Sequence, residues 1–260
     1  VPAMAKRLVA FFNQPPFDLT RADLGRTPRQ WAQAAANGLL PVLTFYLADV
    51  RPAIRVRRKS PRHDVISHLI GEGYTNADIL VECVTYGTAG MVTTREFIAM
   101  AAWHLLQHDA LRARYLVAEQ AERLAILNEI IRLEPVVGHL YRRVQQPVMF
   151  TDQGQDWTAQ PGDLIDLCVR SANADTDTVG DDPLELCPQR PLPTGVNEAV
   201  LSFGDGAHRC PGQPLAMLES DALLRRLLAL EVHIVKEPVI EWDDLIAGYA
   251  LRGFELRVRP

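Results

Sequence analysis

Between Thr75 and His108 the apolar residues surround a helical axis instead of lining one side of it. Ile79, Leu80, Val81, Val84, Met91, Val92, Phe97, Ile98, Trp103, Leu105 and Leu106 together point in every direction at 3.6 residues per turn. A helix apolar all round is expected to be buried on all sides, so other helices must wrap this one. Thr75 and Asp78 stand close to capping-box spacing and mark its start. The expected fold is therefore mainly α, with small β-sheets supplied by the later sequence, as one domain over residues 1–260.

The flanking segments fit that class. Met4 to Phe12 reads as a short helix stopped by Pro15-Pro16, and Thr27-Pro28 opens another that continues from Gln30 to Val50. Arg51 to Arg62 is basic and contains proline, and it reads as a solvated connector. Asp64 to Ile70 is a short helix, and Gln107 to Arg132 is helical until Pro135. Val136-Val137, Val144 to Phe150 and Leu164 to Val169 look like strands, with a turn at Pro161-Gly162-Asp163. Ser171 to Val196 is a long irregular stretch, a length that usually serves a function or covers something. Leu215 to Leu230 is the last helix, and Val232 to Val258 returns to short strands.

Composition narrows the function. With 48% hydrophobic residues, 23% charged and a net charge of −5, the chain can bury a real core and lacks the basic footprint of a general nucleic-acid binder. No apolar run reaches the length of a membrane span. The start, Val1-Pro2-Ala3-Met4-Ala5-Lys6-Arg7, has no signal-peptide h-region, and a processed or truncated chain stays open. The four cysteines, Cys83, Cys168, Cys187 and Cys210, show no disulfide or CxxC spacing, so free thiols and a cytoplasmic setting are expected.

The chemistry concentrates in Phe203-Gly204-Asp205-Gly206-Ala207-His208-Arg209-Cys210-Pro211-Gly212-Gln213-Pro214-Leu215-Ala216. A glycine-rich loop delivers one cysteine to the start of a helix, where the macrodipole and free N–H groups stabilise a thiolate. Gly204, Gly206 and Gly212 let the backbone approach a flat ligand, and Phe203 can shield the sulfur. A dinucleotide loop would need glycine where Arg209 stands. Zinc would need more ligands than His208 and Cys210. A catalytic Cys–His pair is a weak alternative. Inside the long helix, Gly87-Thr88-Ala89-Gly90-Met91-Val92-Thr93-Thr94 breaks the local propensity rule. Both close packing and a functional site stay open there.

The loop resembles the haem-binding signature of the cytochrome P450 family, Phe-Gly-x-Gly-x-His-x-Cys-x-Gly followed by x-x-Leu-Ala. The resemblance implies Cys210 as axial iron ligand to haem b and His208 as a propionate partner. It also implies that Ser202, Phe203, Gly204, Gly212, Ala216 and Val137 lie against the haem. Glu129-Ile130-Ile131-Arg132 resembles the family's Glu-x-x-Arg pair, with Arg190 as its meander partner. Arg142 falls where a second propionate partner is expected, with Arg143 one register away. Ala89-Gly90-Met91-Val92-Thr93-Thr94 resembles the oxygen-activating segment Ala-Gly-x-acid-Thr-Thr, so Ala89, Gly90 and Thr93 are the implied catalytic positions. Val92 replaces the acid. The implied fold is cytochrome P450-like and N-terminally incomplete, because residues 1 to 60 correspond to the helices that roof the substrate site.

A haem-thiolate monooxygenase acting on a mostly apolar small molecule is thereby implied, with ferredoxin or flavodoxin and its reductase as electron source. Arg112, Arg114, Arg209, Arg225 and Arg226 are candidates for an acidic donor's docking patch or for plain surface charge. A peroxide-using or isomerising haem-thiolate enzyme, and a non-catalytic partner protein, are the other readings. Phe11, Phe12 and Val136 to His139 are candidate roof residues.

Overall fold

The computed structural model of the chain describes residues 2–11, 14, 15, 17, 18, 21, 24–152, 154–244 and 246–259. Phe12 lies outside the described residues. Two compact units are present, Val1–Val92 and Thr93–Pro260, and their boundary falls within one unbroken helix.

The first unit holds α1 (Pro2–Phe11), α2 (Pro28–Phe45), α3 (Arg51–Lys59), α4 (Val65–Gly71) and the beginning of α5 (Asn76–Gln107). Thr27 starts α2 with a full capping box: its hydroxyl accepts from the Gln30 amide at 3.3 Å, and the Gln30 carbonyl accepts from the Thr27 amide at 2.8 Å. A π-helical stretch, Tyr46–Val50, carries α2 into α3.

The basic stretch is thus a helix and not the expected connector. Arg51, Arg55, Arg58 and Lys59 face solvent while Ile54 is buried, so the charges form the wet face of an amphipathic helix. Pro52 falls in the first turn of α3, just past the π-helical stretch in which the Arg51 amide reaches back five residues to Tyr46 O. Asp64 caps α4, accepting from the Ser67 amide at 2.9 Å. Arg57 also donates to Asp64, and that bond, followed by the Ser67 amide, holds the carboxyl at about 2. Leu8, Phe45, Val50, Ile54, Leu69 and Ile79 form the core of this unit.

α5 starts where expected, with Thr75 and Asp78 exchanging amide-to-side-chain bonds of 2.9 and 3.3 Å. Its burial does not run all round. Ile79, Val92, Phe97, Met100, Ala101 and Leu105 are buried, but Val81, Thr85, Tyr86, Ala89 and Gly90 are exposed. The exposed positions recur at four-residue spacing, so one stripe of the helix is uncovered. Apolar composition alone cannot separate a stripe packed on protein from one left open. The two glycines divide in the same way. A Cβ on Gly87 would come within 2.9 Å of Leu8 Cδ1, whereas one on Gly90 would meet nothing within 4 Å. Close packing explains Gly87 and does not explain Gly90.

In the second unit the predicted continuous helix after α5 is two helices, α6 (Asp109–Val117) and α7 (Gln120–Leu133). Ala118 and Glu119 take extended backbone between them, and no proline or glycine marks the break. β1 (His139–Arg143) pairs antiparallel with β4 (Leu164–Cys168), and β2 (Val148–Asp152) pairs with β3 (Gln155–Ala159). Val136-Val137 is bent and not a strand, and β3 is an element that the hydrophobic pattern missed. The Gly162 turn closes as expected, its amide donating to Val144 O at 2.9 Å.

Two short turns, α8 (Val169–Ala172) and α9 (Thr176–Val179), punctuate the irregular stretch before α10 (Gln213–Leu228). β5 (Glu231–Lys236) then pairs with β8 (Glu255–Arg259), and β6 (Val239–Asp243) with β7 (Gly248–Arg252). Every sheet among the described residues has two strands. Gly138 and Gly248 bring two backbones together, because a Cβ on Gly248 would stand 2.3 Å from Val136 O. Buried Glu96 of α5 accepts from Arg252 at 2.9 Å and from the Leu251 amide at 3.3 Å, tying the end of α5 to β7. Among the described residues no helix is long and apolar enough to cross a membrane.

Candidate functional site

α7 places Glu129 and Arg132 one turn apart on its buried face. Arg132, whose side chain is fully buried, donates through Nε and Nη2 to the two Glu129 oxygens at 2.7 and 2.8 Å. Its Nη1 donates to Asn173 O and Pro183 O, both at 2.8 Å. Arg190 closes the arrangement, donating to Glu129 at 3.3 Å and to the carbonyls of Val179, Asp182 and Glu185. The Cys187 amide adds a bond to Glu129 at 3.0 Å. Burial pushes the Glu129 carboxyl up, but Arg132, the Cys187 amide and Arg190 outweigh it and leave the group below its ordinary range. One carboxylate thus gathers two guanidiniums, and those guanidiniums stitch the irregular stretch 173–190 onto α7.

Asn173 carries this lock to the cysteine loop. It is fully buried, and its Nδ2 donates to Arg132 O at 2.9 Å and to Ser202 Oγ at 2.8 Å. Its Oδ1 accepts from the Leu201 amide at 2.8 Å, and Ser202 Oγ donates to Ile131 O at 2.8 Å. Ser202, expected against the haem, has its hydroxyl engaged on the α7 side of the loop. Asn173 itself was missed by sequence reasoning, because a lone asparagine in irregular sequence carries no spacing signal.

The loop then reverses on glycine. Gly204 and Gly206 have φ of +67° and +59°, and a Cβ on Gly204 would stand 3.1 Å from His208 O. The Cys210 amide donates to Phe203 O at 2.8 Å, which pins the cysteine across the loop. Cys210 is half-buried and sits two residues before Gly212, the N-cap of α10, with its sulfur 3.7 Å from where a Gly212 Cβ would lie. Phe203, Gly212 and Ala216 are half-buried beside it in sequence, and His208 is exposed. Val137 is half-buried just before β1.

On β1, Arg142 and Arg143 alternate between faces. Arg143 Nη1 is engaged by Gly162 O at 2.8 Å, whereas exposed Arg142 donates to the neighbouring Tyr141 O at 2.9 Å. Both side chains are exposed, and each spends its Nη1 on one backbone carbonyl. Thr93 is half-buried at the start of the second unit, while Ala89 and Gly90 belong to the first and are exposed. Val92 is 6% exposed, so the position that lacks the acid is also a dry one. Within the expected basic patch, Arg112 donates to Leu228 O at 3.2 Å and Arg114 pairs with Glu122 at 2.6 Å, while Arg225 and Arg226 face solvent.

The donor set tests the fit of haem. Among the described residues no three His, Cys, Asp or Glu side chains gather to hold a metal ion. A single sulfur at a helix N-terminus does not suit zinc, which takes three or four protein ligands. It suits an iron whose equatorial positions a porphyrin already fills. The residues present fit haem ligated by thiolate.

The family model for cytochrome P450 matches residues 124–238, the span that contains the lock, the cysteine loop and α10. Cytochrome P450(MEG) of Priestia megaterium is 26% identical over 79% of this chain and 49% of its own length. Erythromycin C-12 hydroxylase of Saccharopolyspora erythraea is 29% identical over 83% of this chain and 54% of its own. Among solved structures, CYP109B1 from Bacillus subtilis superposes with a TM-score of 0.76 at 22% identity, over 98% of this chain and 64% of that one. The chain spans about half the length of these curated relatives. With the fold, the lock and the cysteine loop in agreement, residues 124–238 match the cytochrome P450 family, and the chain is similar to cytochromes P450 over most of its length.

Proposed function

We propose that this chain carries the thiolate-bearing part of a haem monooxygenase that inserts one oxygen atom of O₂ into a mostly apolar small molecule. The observation that carries the reading is Cys210, held at the N-terminus of α10 by the Phe203 carbonyl and backed by the Arg132 lock. Haem b bound through this thiolate would supply the activation of dioxygen. Cys210 donates the sulfur, and its position before α10 keeps the anion stable. His208 and Arg142 are exposed hydrogen-bonding arms for the propionates. Phe203, Gly204, Gly212, Ala216 and Val137 present small or apolar surface to a flat ring, and Ser202 holds the loop. Thr93 Oγ1 holds and passes a proton, with Ala89 and Gly90 one turn earlier in the sequence of the same helix. Residues 1–260 act in this reading as one haem domain, in the cytoplasm, with electrons from a ferredoxin or flavodoxin and its reductase.

Relatives named as hydroxylases, the erythromycin C-12 enzyme and the steroid 21-hydroxylases of Homo sapiens and Sus scrofa, support hydroxylation as the reaction type. Val92 favours a second reading. A positioned proton-transfer group contributes about 10²–10⁴-fold, and a buried valine supplies none. A peroxide-using or isomerising haem-thiolate enzyme has no need of that acid. Dependence of product on reductant separates the two.

The absorption spectrum of the purified chain, reduced and under carbon monoxide, tests the site itself. The red-shifted Soret band of a thiolate-ligated complex is expected, and Cys210→Ala should abolish it. A haem spectrum indifferent to Cys210 would remove the proposal.

A further inference from the structure

A cleft of about 540 Å³ opens between α6, α7 and α10, away from the cysteine loop. Its apolar wall includes Leu116, Leu218 and Ala222, and its polar side carries Arg123, Arg225 and Arg226. The one carboxylate in the lining, Asp221, is already neutralised. Arg123 grips it through Nε and Nη2 at 2.7 and 2.9 Å, and Tyr115 donates to it at 2.7 Å. Burial raises the Asp221 carboxyl, but Arg123 and Tyr115 outweigh it and keep the group ionised. Three arginines against one aspartate leave the cleft with a net charge of +2.

The surroundings cancel only part of that charge. Arg225 and Arg226 are exposed and form no salt bridge among the described residues. Glu122, the acid in the first turn of α7, is taken by Arg114 at 2.6 Å. Glu119, at the N-cap, makes no capping hydrogen bond, and its charge acts on Arg123, so it offsets part of the positive charge and leaves Arg225 and Arg226 to carry the excess. Arg123 uses Nη1 on Ala118 O at 2.8 Å, which with its two Asp221 bonds leaves part of its five-donor fork unspent. A buried guanidinium with spare donors, two solvated arginines and an apolar wall describe a receptor for an anion with an apolar body. The volume lies in the range of small-ligand sites, about 300–1,000 Å³.

We propose that this cleft binds a small organic carboxylate. The carboxylate sits among Arg123, Arg225 and Arg226, and the hydrocarbon lies against Leu116 and Leu218. The inference does not rest on the haem reading, because none of the lining residues belongs to the cysteine loop.

Calorimetric titration of the full chain with octanoate tests it. Saturable binding is expected, weakened about tenfold, or about 1.4 kcal/mol, in Arg225→Gln/Arg226→Gln. Leu218→Glu, a change at a 44% exposed position, should weaken it at least as much. Cys210→Ala should leave it unchanged, which separates this cleft from a haem pocket. Octyltrimethylammonium should not bind. Absent saturation, an affinity indifferent to the arginine changes, or inorganic phosphate binding as tightly as octanoate would each overturn the proposal.

Discussion

Replacing Arg132 with leucine probes what holds the cysteine loop in place. The guanidinium makes two bonds to Glu129 and further bonds to Asn173 O, Pro183 O and Glu185 O, with no part of the side chain exposed. Leucine restores some of the volume but none of the donors. Glu129 would keep only Arg190 at 3.3 Å and the Cys187 amide at 3.0 Å as partners for a buried charge. Removing one partner of a buried pair costs about 3–5 kcal/mol. A loss of about 4 kcal/mol is a large fraction of the roughly 5–15 kcal/mol that keeps a domain folded. With a urea m-value of about 3 kcal/mol/M for a chain of this size, the midpoint should fall by about 1.3 M. Arg132→Lys keeps the charge but loses the planar fork, and should lie between the two. The assay is urea unfolding followed by circular dichroism. A loss below about 1 kcal/mol, the value of an exposed pair, would refute the idea that this network is load-carrying.

Asp64 predicts a pH effect in the first unit. Its folded pKa of about 2 lies below the ordinary 3.8, so its contribution is present above about pH 4 and is lost as pH falls toward 2; Asp64→Asn should remove that component from urea midpoints measured across the window. The glycines at positions 248 and 90 should respond oppositely to alanine. Gly248→Ala drives a Cβ into the Val136 carbonyl and should cost about 3 kcal/mol or more, whereas Gly90→Ala meets open space and should stabilise α5 by up to about 1 kcal/mol in thermal unfolding. Asn173→Ala removes side-chain bonds to Arg132, Ser202 and Leu201, worth about 1 kcal/mol each. Modification of Cys210 by a thiol reagent should then accelerate up to about 100-fold, and equal acceleration at Cys168 would show general unfolding instead of a freed loop.

Much of this was legible in the sequence because the signals were local. Thr27 and Thr75 announce their helices through capping chemistry that needs only three residues. The cysteine loop is legible because its glycines are demanded by positive φ at Gly204 and Gly206, a constraint that no other residue meets cheaply. Glu129 and Arg132 are legible as a pair one turn apart. What escaped was set by distant contacts. The charges of α3 hid a helix whose one deeply buried residue, Ile54, packs in a core built from α1, α2, the π-helical stretch, α4 and α5. The break at Ala118 has no local breaker, and the open stripe of α5 is as apolar as a packed one. Asn173 matters only because the chain returns to α7 more than forty residues later.

The sheets explain why that return is needed. Two-stranded ribbons are marginal on their own in water, and every sheet among the described residues is one. A sulfur that must stay in one place cannot depend on them. The path from Glu129 through Arg132 and Asn173 to Leu201 and Ser202, and across Phe203 O to the Cys210 amide, is made of short bonds between buried groups at its start and half-buried ones at the loop. Each group in the path satisfies another, so the loop cannot shift without leaving a buried donor or acceptor unpaired, at about 1–3 kcal/mol apiece. Irregular backbone is thereby held in place while it keeps the left-handed turns at Gly204 and Gly206. A loop tied from behind in this way is what a thiolate site for a planar cofactor would require.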